Sequence, residues 1–112
     1  MIEAIVRTYL EQKLSAECFM EMPESGDKFI IVEKTGGGYK NHIATAIVTV
    51  KSYGKSMYEA ATLNEQVITA MLEMAELNEI CKISLNSDYN FTDTNQKHYR
   101  YQAIFDIKYY PE

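Results

Sequence analysis

A chain of 112 residues and 12.9 kDa, 46% hydrophobic and 24% charged, has the composition of one globular domain, 1–112, with a single modest core. Its formal charge of −5 excludes a general nucleic-acid binder, which needs a basic surface to neutralise phosphate. The longest near-apolar run, Ile43 to Val50, is too short to span a bilayer, and Glu3 and Arg7 interrupt any hydrophobic signal region, so a cytosolic setting with no membrane partner is expected.

Ile2, Ile5, Val6, Tyr9, Leu10 and Leu14 recur at three- and four-residue spacing, with Glu3, Arg7, Glu11 and Lys13 between them. That spacing predicts an amphipathic first helix. Residues 18–22 follow as a short strand, ended by the turn cluster Pro23-Glu-Ser-Gly-Asp, and Lys28 to Lys34 reads as the second strand. The glycines of Thr35-Gly36-Gly37-Gly38 pose a choice between a phosphate-binding loop and a hairpin. A phosphate loop opens a helix whose N-terminus faces the anion. Here the chain continues into Ile43 to Val50, rich in Ile, Val and Thr, and the GxxxxGK[ST] pattern is missing. Residues 35–42 are therefore expected to be a mobile hairpin tip without a ligand. On the third strand Ala44, Ala46, Val48 and Val50 line one face, and Thr45, Thr49 and Lys51 share the other with Ile43 and Ile47.

Ser56-Met-Tyr-Glu59 is a capping box that starts a second helix. Ala60, Leu63, Val67, Ala70, Met71 and Met74 form its inward stripe, with Glu59, Asn64, Glu65, Glu73 and Glu76 toward solvent, and Asn78 and Glu79 close it. Cys81, Ile83, Leu85, Tyr89 and Phe91 then alternate with Lys82, Ser84, Asn86, Asp88 and Asn90, a half-buried fourth strand. Asp93-Thr-Asn-Gln turns the chain into the last strand. There Tyr99, Tyr101, Ala103, Phe105, Ile107 and Tyr109 share the core face, opposite His98, Arg100, Gln102, Asp106 and Lys108. The expected fold is α+β in the order αβββαββ: a mainly antiparallel sheet of about five strands with two helices packed on one face.

Chemistry is hard to find in this pattern. Cys18 and Cys81 lack CxxC spacing and read as buried reduced thiols. His42 and His98 read as surface loop residues, Asp88, Asp93 and Asp106 as solvated carboxylates, and the methionines of the second helix as core filler. No catalytic residue, cofactor site, cofactor or metal ligand is expected. The nine tyrosines stand out, with Tyr99, Tyr101, Tyr109 and Tyr110 concentrated at the last strand, and tyrosine suits protein interfaces. An interaction protein is the leading class; the alternative is a cytosolic small-molecule binding module or enzyme using the polar sheet face. The candidate interface residues are Gly36, Gly37, Gly38, Tyr39 and Lys40 in the hairpin and His98, Arg100 and Gln102 on the polar face of the last strand.

An N-terminal helix, a short strand ending near Pro23, then FIIVEKTGGG, AIVTVKSYGKSMYEAATLNEQV and HYRYQAIFDIKYY resemble, in order and spacing, the small tail terminator or tail completion proteins of long-tailed bacteriophages and prophages. Tyr53-Gly54-Lys55-Ser56 before the second helix and the pair Arg100-Tyr101 are the elements most like that family. The resemblance implies a structural virion protein, not an enzyme. It would form a hexameric ring that caps the tail tube, ends its polymerisation and offers a surface for head joining. The implied partners are further copies of the chain, the tail tube protein and a head-completion protein. DNA would pass through the ring without specific binding, and the protein would reside in the virion tail after assembly in the host cytoplasm. Other head–tail connector proteins share these features.

Overall fold

The computed structural model describes residues 1–111. They run in the order α1 (Ile2–Lys13), β1 (Glu17–Phe19), β2 (Phe29–Lys40), β3 (Ile43–Gly54), α2 (Met57–Glu73), a 3-10 turn (Met74–Glu76), β4 (Ile80–Asn90) and β5 (Tyr99–Tyr109). One sheet holds all strands in the order β1-β2-β3-β5-β4, antiparallel except for the parallel β1–β2 pair. Both helices pack on the same face, giving the α+β arrangement that periodicity indicates. No helix among the described residues is long and apolar enough to cross a membrane.

The core follows from the two periods. Ile2, Val6, Tyr9 and Leu10 of α1 and Ala60, Leu63, Val67, Ala70 and Met71 of α2 are buried against Val48 and Val50 of β3 and Ala103, Phe105 and Ile107 of β5. Ser56 Oγ accepts the Glu59 N–H at 3.1 Å, while the Glu59 carboxylate accepts the Lys55 N–H at 2.9 Å, so the cap reaches one residue further back than a capping box requires. Gly54 admits this helix start: a Cβ there would lie 2.7 Å from the Ala60 nitrogen.

The first strand covers only Glu17–Phe19, leaving Met20 and Met22 exposed. A parallel neighbour needs a crossover, and residues 20–28 are too few to return over a longer pair. The glycine run is not a loop: Gly36, Gly37 and Gly38 pair with Ile47, Ala46 and Thr45, and only Asn41 and His42 turn, with φ of 54° and 64°. Two consecutive positive φ values make the tight hairpin turn that matches strand twist. Gly37 serves close approach, since a Cβ there would stand 2.9 Å from the Thr45 carbonyl oxygen. A register shift between Lys34 and Gly36 leaves Thr35 as a bulge.

Asn64 does not face solvent; it is buried on the inward stripe and bonded to Asp88, which is therefore not simply a solvated carboxylate. The fourth strand does not alternate throughout. Bulges between Ile80 and Lys82 and between Leu85 and Ser87 shift its register twice. The first leaves Cys81 exposed rather than buried. The second turns Asp88 to the helix side and Tyr89 to the opposite face beside Gln102, so Tyr89 and Phe91 leave the face that Ile83 and Leu85 share.

Candidate functional site

The sheet face turned away from the helices has no element over it among the described residues, and side chains from neighbouring strands line up there in rows. Phe29, Tyr53 and Arg100 lie side by side on β2, β3 and β5, and the Phe91 N–H extends the row by donating to the Arg100 carbonyl at 2.9 Å. The Phe29 and Tyr53 rings stack at 4.6 Å, with Phe19 edge-on to Phe29 at 6.2 Å. The Arg100 guanidinium sits 4.4 Å over the Phe91 ring and 5.9 Å from that of Tyr53. It donates from Nε to the Phe91 carbonyl at 2.7 Å and from Nη1 to the Tyr53 hydroxyl at 3.3 Å. Tyr89 meets Phe91 edge-on at 6.0 Å and takes a hydrogen bond from Gln102. A continuous aromatic stripe with one arginine set into it thus crosses the sheet.

Further along the strands the face turns polar. Lys51 bonds Glu33 at 3.1 Å, Thr35 Oγ1 meets Thr49 Oγ1 at 3.3 Å, and Asp106 accepts from Asn86 at 3.0 Å. Lys82 stands directly opposite Lys108, and neither has a carboxylate within ion-pair distance among the described residues. Like charges facing each other across a ladder destabilise it, and Asp106, on the same face beyond ion-pair distance, offsets this pair only in part. A depression of about 370 Å³ lies between the two lysines, Thr45 and Ile47.

The structure divides the predicted interface residues. Arg100 and Gln102 join the aromatic stripe, and His98 lies at the same end, bridged to Asp93 and lining a pocket of about 590 Å³ with Phe29, Tyr53, Lys55 and Lys97. Gly36, Gly37, Gly38, Tyr39 and Lys40 sit at the other end: Tyr39 neighbours Ala44, which neighbours Tyr109. Arg100 and Tyr109 are nine residues apart on one strand, about 30 Å at ~3.3 Å per residue. Since β1 covers β2 only from Phe29 to Ile31, the outer edge of β2 from Val32 to Lys40 has no strand beside it among the described residues. Such an edge is a template for pairing. Phe19, Phe29, Tyr53, Tyr89 and Phe91 are site residues that the sequence alone does not single out. An aromatic pair two apart on an edge strand, Tyr89 and Phe91, was the available signal, masked by the bulge.

Nucleophile chemistry is disfavoured where a thiol is held. Burial, then the nearby Glu11 carboxylate, pushes the Cys18 thiol up to about 12, and the Cys18 N–H donates to that same carboxylate at 3.1 Å. Among the described residues no group of three His, Cys, Asp or Glu is placed to hold a metal ion. Aromatic residues and arginine around a desolvated patch, with charge at its margin, make the composition of a protein interface. No protein-family model and no curated protein matches the chain.

Proposed function

We propose that this chain is a structural subunit of a long-tailed phage or prophage particle. In this reading copies of it form a six-fold ring that caps the finished tail tube, ends tube polymerisation and presents the surface to which the head joins, with no reaction catalysed. The observation carrying the proposal is that the main core fills one sheet face, while on the other only the corner of Phe29, Ile31 and Tyr53 is buried and, among the described residues, no helix or strand covers the rest. On that open face Phe91, Tyr89 and Ile47 remain 43%, 39% and 39% exposed. Apolar surface gathered on one face marks an interaction site rather than a folding need. The open edge of β2 adds a second contact of a different kind, through backbone hydrogen bonds. Unlike contact surfaces on one subunit generate closed rings when the rotation between copies closes.

The experiment adds purified protein to tail tubes growing from their own tube protein, and measures tube lengths and ends by electron microscopy. Shortened tubes ending in a ring-shaped density are expected; unaltered length distributions and bare ends reject the proposal. Binding to the head vertex without any effect on tubes would transfer the chain to the other head–tail connectors.

A further inference from the structure

The helix layer presents to solvent the complement of the open sheet face. From Ser56 to Glu79 the chain carries five glutamates and no lysine or arginine. One of them, Glu59, is used in the cap. Tyr58, Glu65, Leu72 and Glu76 recur along the side of α2 and its 3-10 extension opposite the buried stripe, and Glu73 lies next to them. Tyr58 is 82% exposed and Leu72 44% exposed, large values for such side chains on a helix whose other apolar residues are buried or half-buried. Nothing in the domain accounts for an aromatic ring at one end of this surface and an acidic cluster at the other.

From this match we infer that the open sheet face of one copy seats the outer face of α2 from a second copy. The occupant's Tyr58 lies on the Tyr89–Phe91–Arg100 end, and its Glu73 and Glu76 lie over Lys82 and Lys108. Dimensions agree: α2 has 17 residues, about 26 Å at ~1.5 Å each, and the face from Arg100 to Lys108 is also about 26 Å at ~3.3 Å per residue. Charge agrees as well. Lys51 is neutralised by Glu33, and at the lysine end Asp106 is the one carboxylate of the described strands on this face, Glu17 lying at the aromatic end beside Phe29; the acidic end of α2 has the negative pole of its helix dipole with no basic residue in the last turn. Covered in this way the sheet has helices on both faces, one set its own and one borrowed.

The match also fixes a direction. Each copy's own α2 starts beside Gly54, which neighbours Tyr99, and the chain re-enters the sheet at Ile80, opposite Tyr109. It therefore runs from the aromatic end toward the lysine end. The second copy's α2, placed aromatic to aromatic and acid to lysine, runs the same way. Copies so related differ by a shift across the sheet and a rotation about the strand direction, which is a head-to-tail contact and not a two-fold one. The inference deepens the ring reading and rests on it only for the number of copies.

The test uses charge reversal. Lys82→Glu with Lys108→Glu makes the sheet face acidic; Glu73→Lys with Glu76→Lys makes the helix face basic. All four positions are exposed, and circular dichroism and melting temperature check that both proteins fold. In sedimentation over a wide concentration range, the wild type is expected to associate and each variant alone to associate at least tenfold more weakly. An equimolar mixture should recover assembly, because each reversed face then meets a reversed partner. Tyr58→Ser, which changes no charge, should also weaken wild-type association. Variants that associate like the wild type, a mixture that stays monomeric, or a wild type monomeric at every concentration would each overturn the contact. Tube capping by the wild type is scored separately. Capping with unaffected variant assembly rejects this contact and keeps the ring, whereas a charge-switchable contact without capping keeps the contact and rejects the role in the tail.

Discussion

Asn64 Nδ2 donates to Asp88 Oδ1 at 2.6 Å, tying α2 to β4 across a distance of 24 residues in sequence. The two partners stand in unlike surroundings: Asn64 is 2% exposed and Asp88 is at the surface. Asn64 Oδ1 has no hydrogen-bond partner among the described residues. Removing the acid therefore strands a fully polar amide in the core, whereas removing the amide returns a carboxylate to water. Asp88→Ala is expected to destabilise by about 1–3 kcal/mol, and Asn64→Leu by less, because unsatisfied buried groups are the expensive case. Urea unfolding of the two variants decides it; a larger loss for Asn64→Leu would mean that packing rather than hydrogen bonding holds this position.

The three consecutive glycines are expected to differ in tolerance. At Gly37 a methyl group would meet the Thr45 carbonyl oxygen at 2.9 Å, a backbone atom that moves only with its strand. At Gly36 and Gly38 it would meet the Ile47 side chain at 3.2 Å and the Thr45 hydroxyl at 3.1 Å, both able to rotate. Gly37→Ala should cost about 1–3 kcal/mol, the range for overpacking, and Gly36→Ala well under that. Thermal unfolding ranks them, and equal melting temperatures would show that the β2–β3 ladder yields at no cost.

This glycine run marks where sequence ceases to show structure. Strands β3 and β5 were legible because strict alternation, such as Ala103, Phe105 and Ile107 against Gln102 and Asp106, has only one sheet reading. The helix stripes were legible for the same reason. Glycine has no side chain to alternate, so a strand made of it looks like a loop until its partner Ile43–Ile47 is in place. Bulges are the second blind spot. One unpaired residue at Cys81 and another between Leu85 and Ser87 reverse every later side chain, and no residue type there announces them. Asn64 reads as a solvent residue by polarity, although its position on the helical wheel belongs to the core. Of the candidate site, Arg100 and Gln102 were legible from their face, but the aromatic stripe they belong to depended on the second bulge.

The two thiols should separate chemically. Cys81 is exposed, whereas Cys18 is buried with its thiol pushed up from 9.0 to about 12. Iodoacetamide at mild alkaline pH is expected to label Cys81 alone in the native protein, and both after denaturation, as read by mass spectrometry. Stability follows with a definite sign. The unfolded chain releases the Cys18 proton near the ordinary value and the folded chain only near 12, so this contribution is full below about pH 9 and is lost as pH rises through that window. Wild-type stability should therefore fall more steeply across it than that of Cys18→Ala. Parallel slopes would show that the folded environment does not hold the proton.

Duplex DNA should bind weakly. At physiological salt non-specific binding already lies near 10⁻⁴–10⁻⁶ M for proteins with basic faces, and here the net charge is −5. Fluorescence anisotropy is expected to show a Kd weaker than about 10⁻⁴ M. Tight binding that disappears in Lys82→Glu with Lys108→Glu would assign the open sheet face to nucleic acid and remove the acidic helix as its occupant.

Arg100 is the residue on which the open face turns, and its role can be separated into brace and anchor. Its Nε and Nη1 already donate to the Phe91 carbonyl and the Tyr53 hydroxyl, and its plane lies on the Phe91 ring. Hydrogen bonds from a charged group contribute about 1.5–3 kcal/mol, and an exposed cation–π contact about 0.5–1 kcal/mol. Solvation regained on mutation offsets part of this because the site is half open. Arg100→Met, which keeps the stem and removes the fork, should lose about 1–2 kcal/mol in urea unfolding, with a changed near-ultraviolet signal from Tyr53. Arg100→Lys should recover less than half, since one ammonium cannot reach both acceptors in the guanidinium's plane. Recovery by lysine to the wild-type value would show that charge alone matters, as expected of an anchor for an acidic partner. A loss below about 0.5 kcal/mol for Arg100→Met would free the whole guanidinium for a partner, and self-association rather than unfolding would then register its removal.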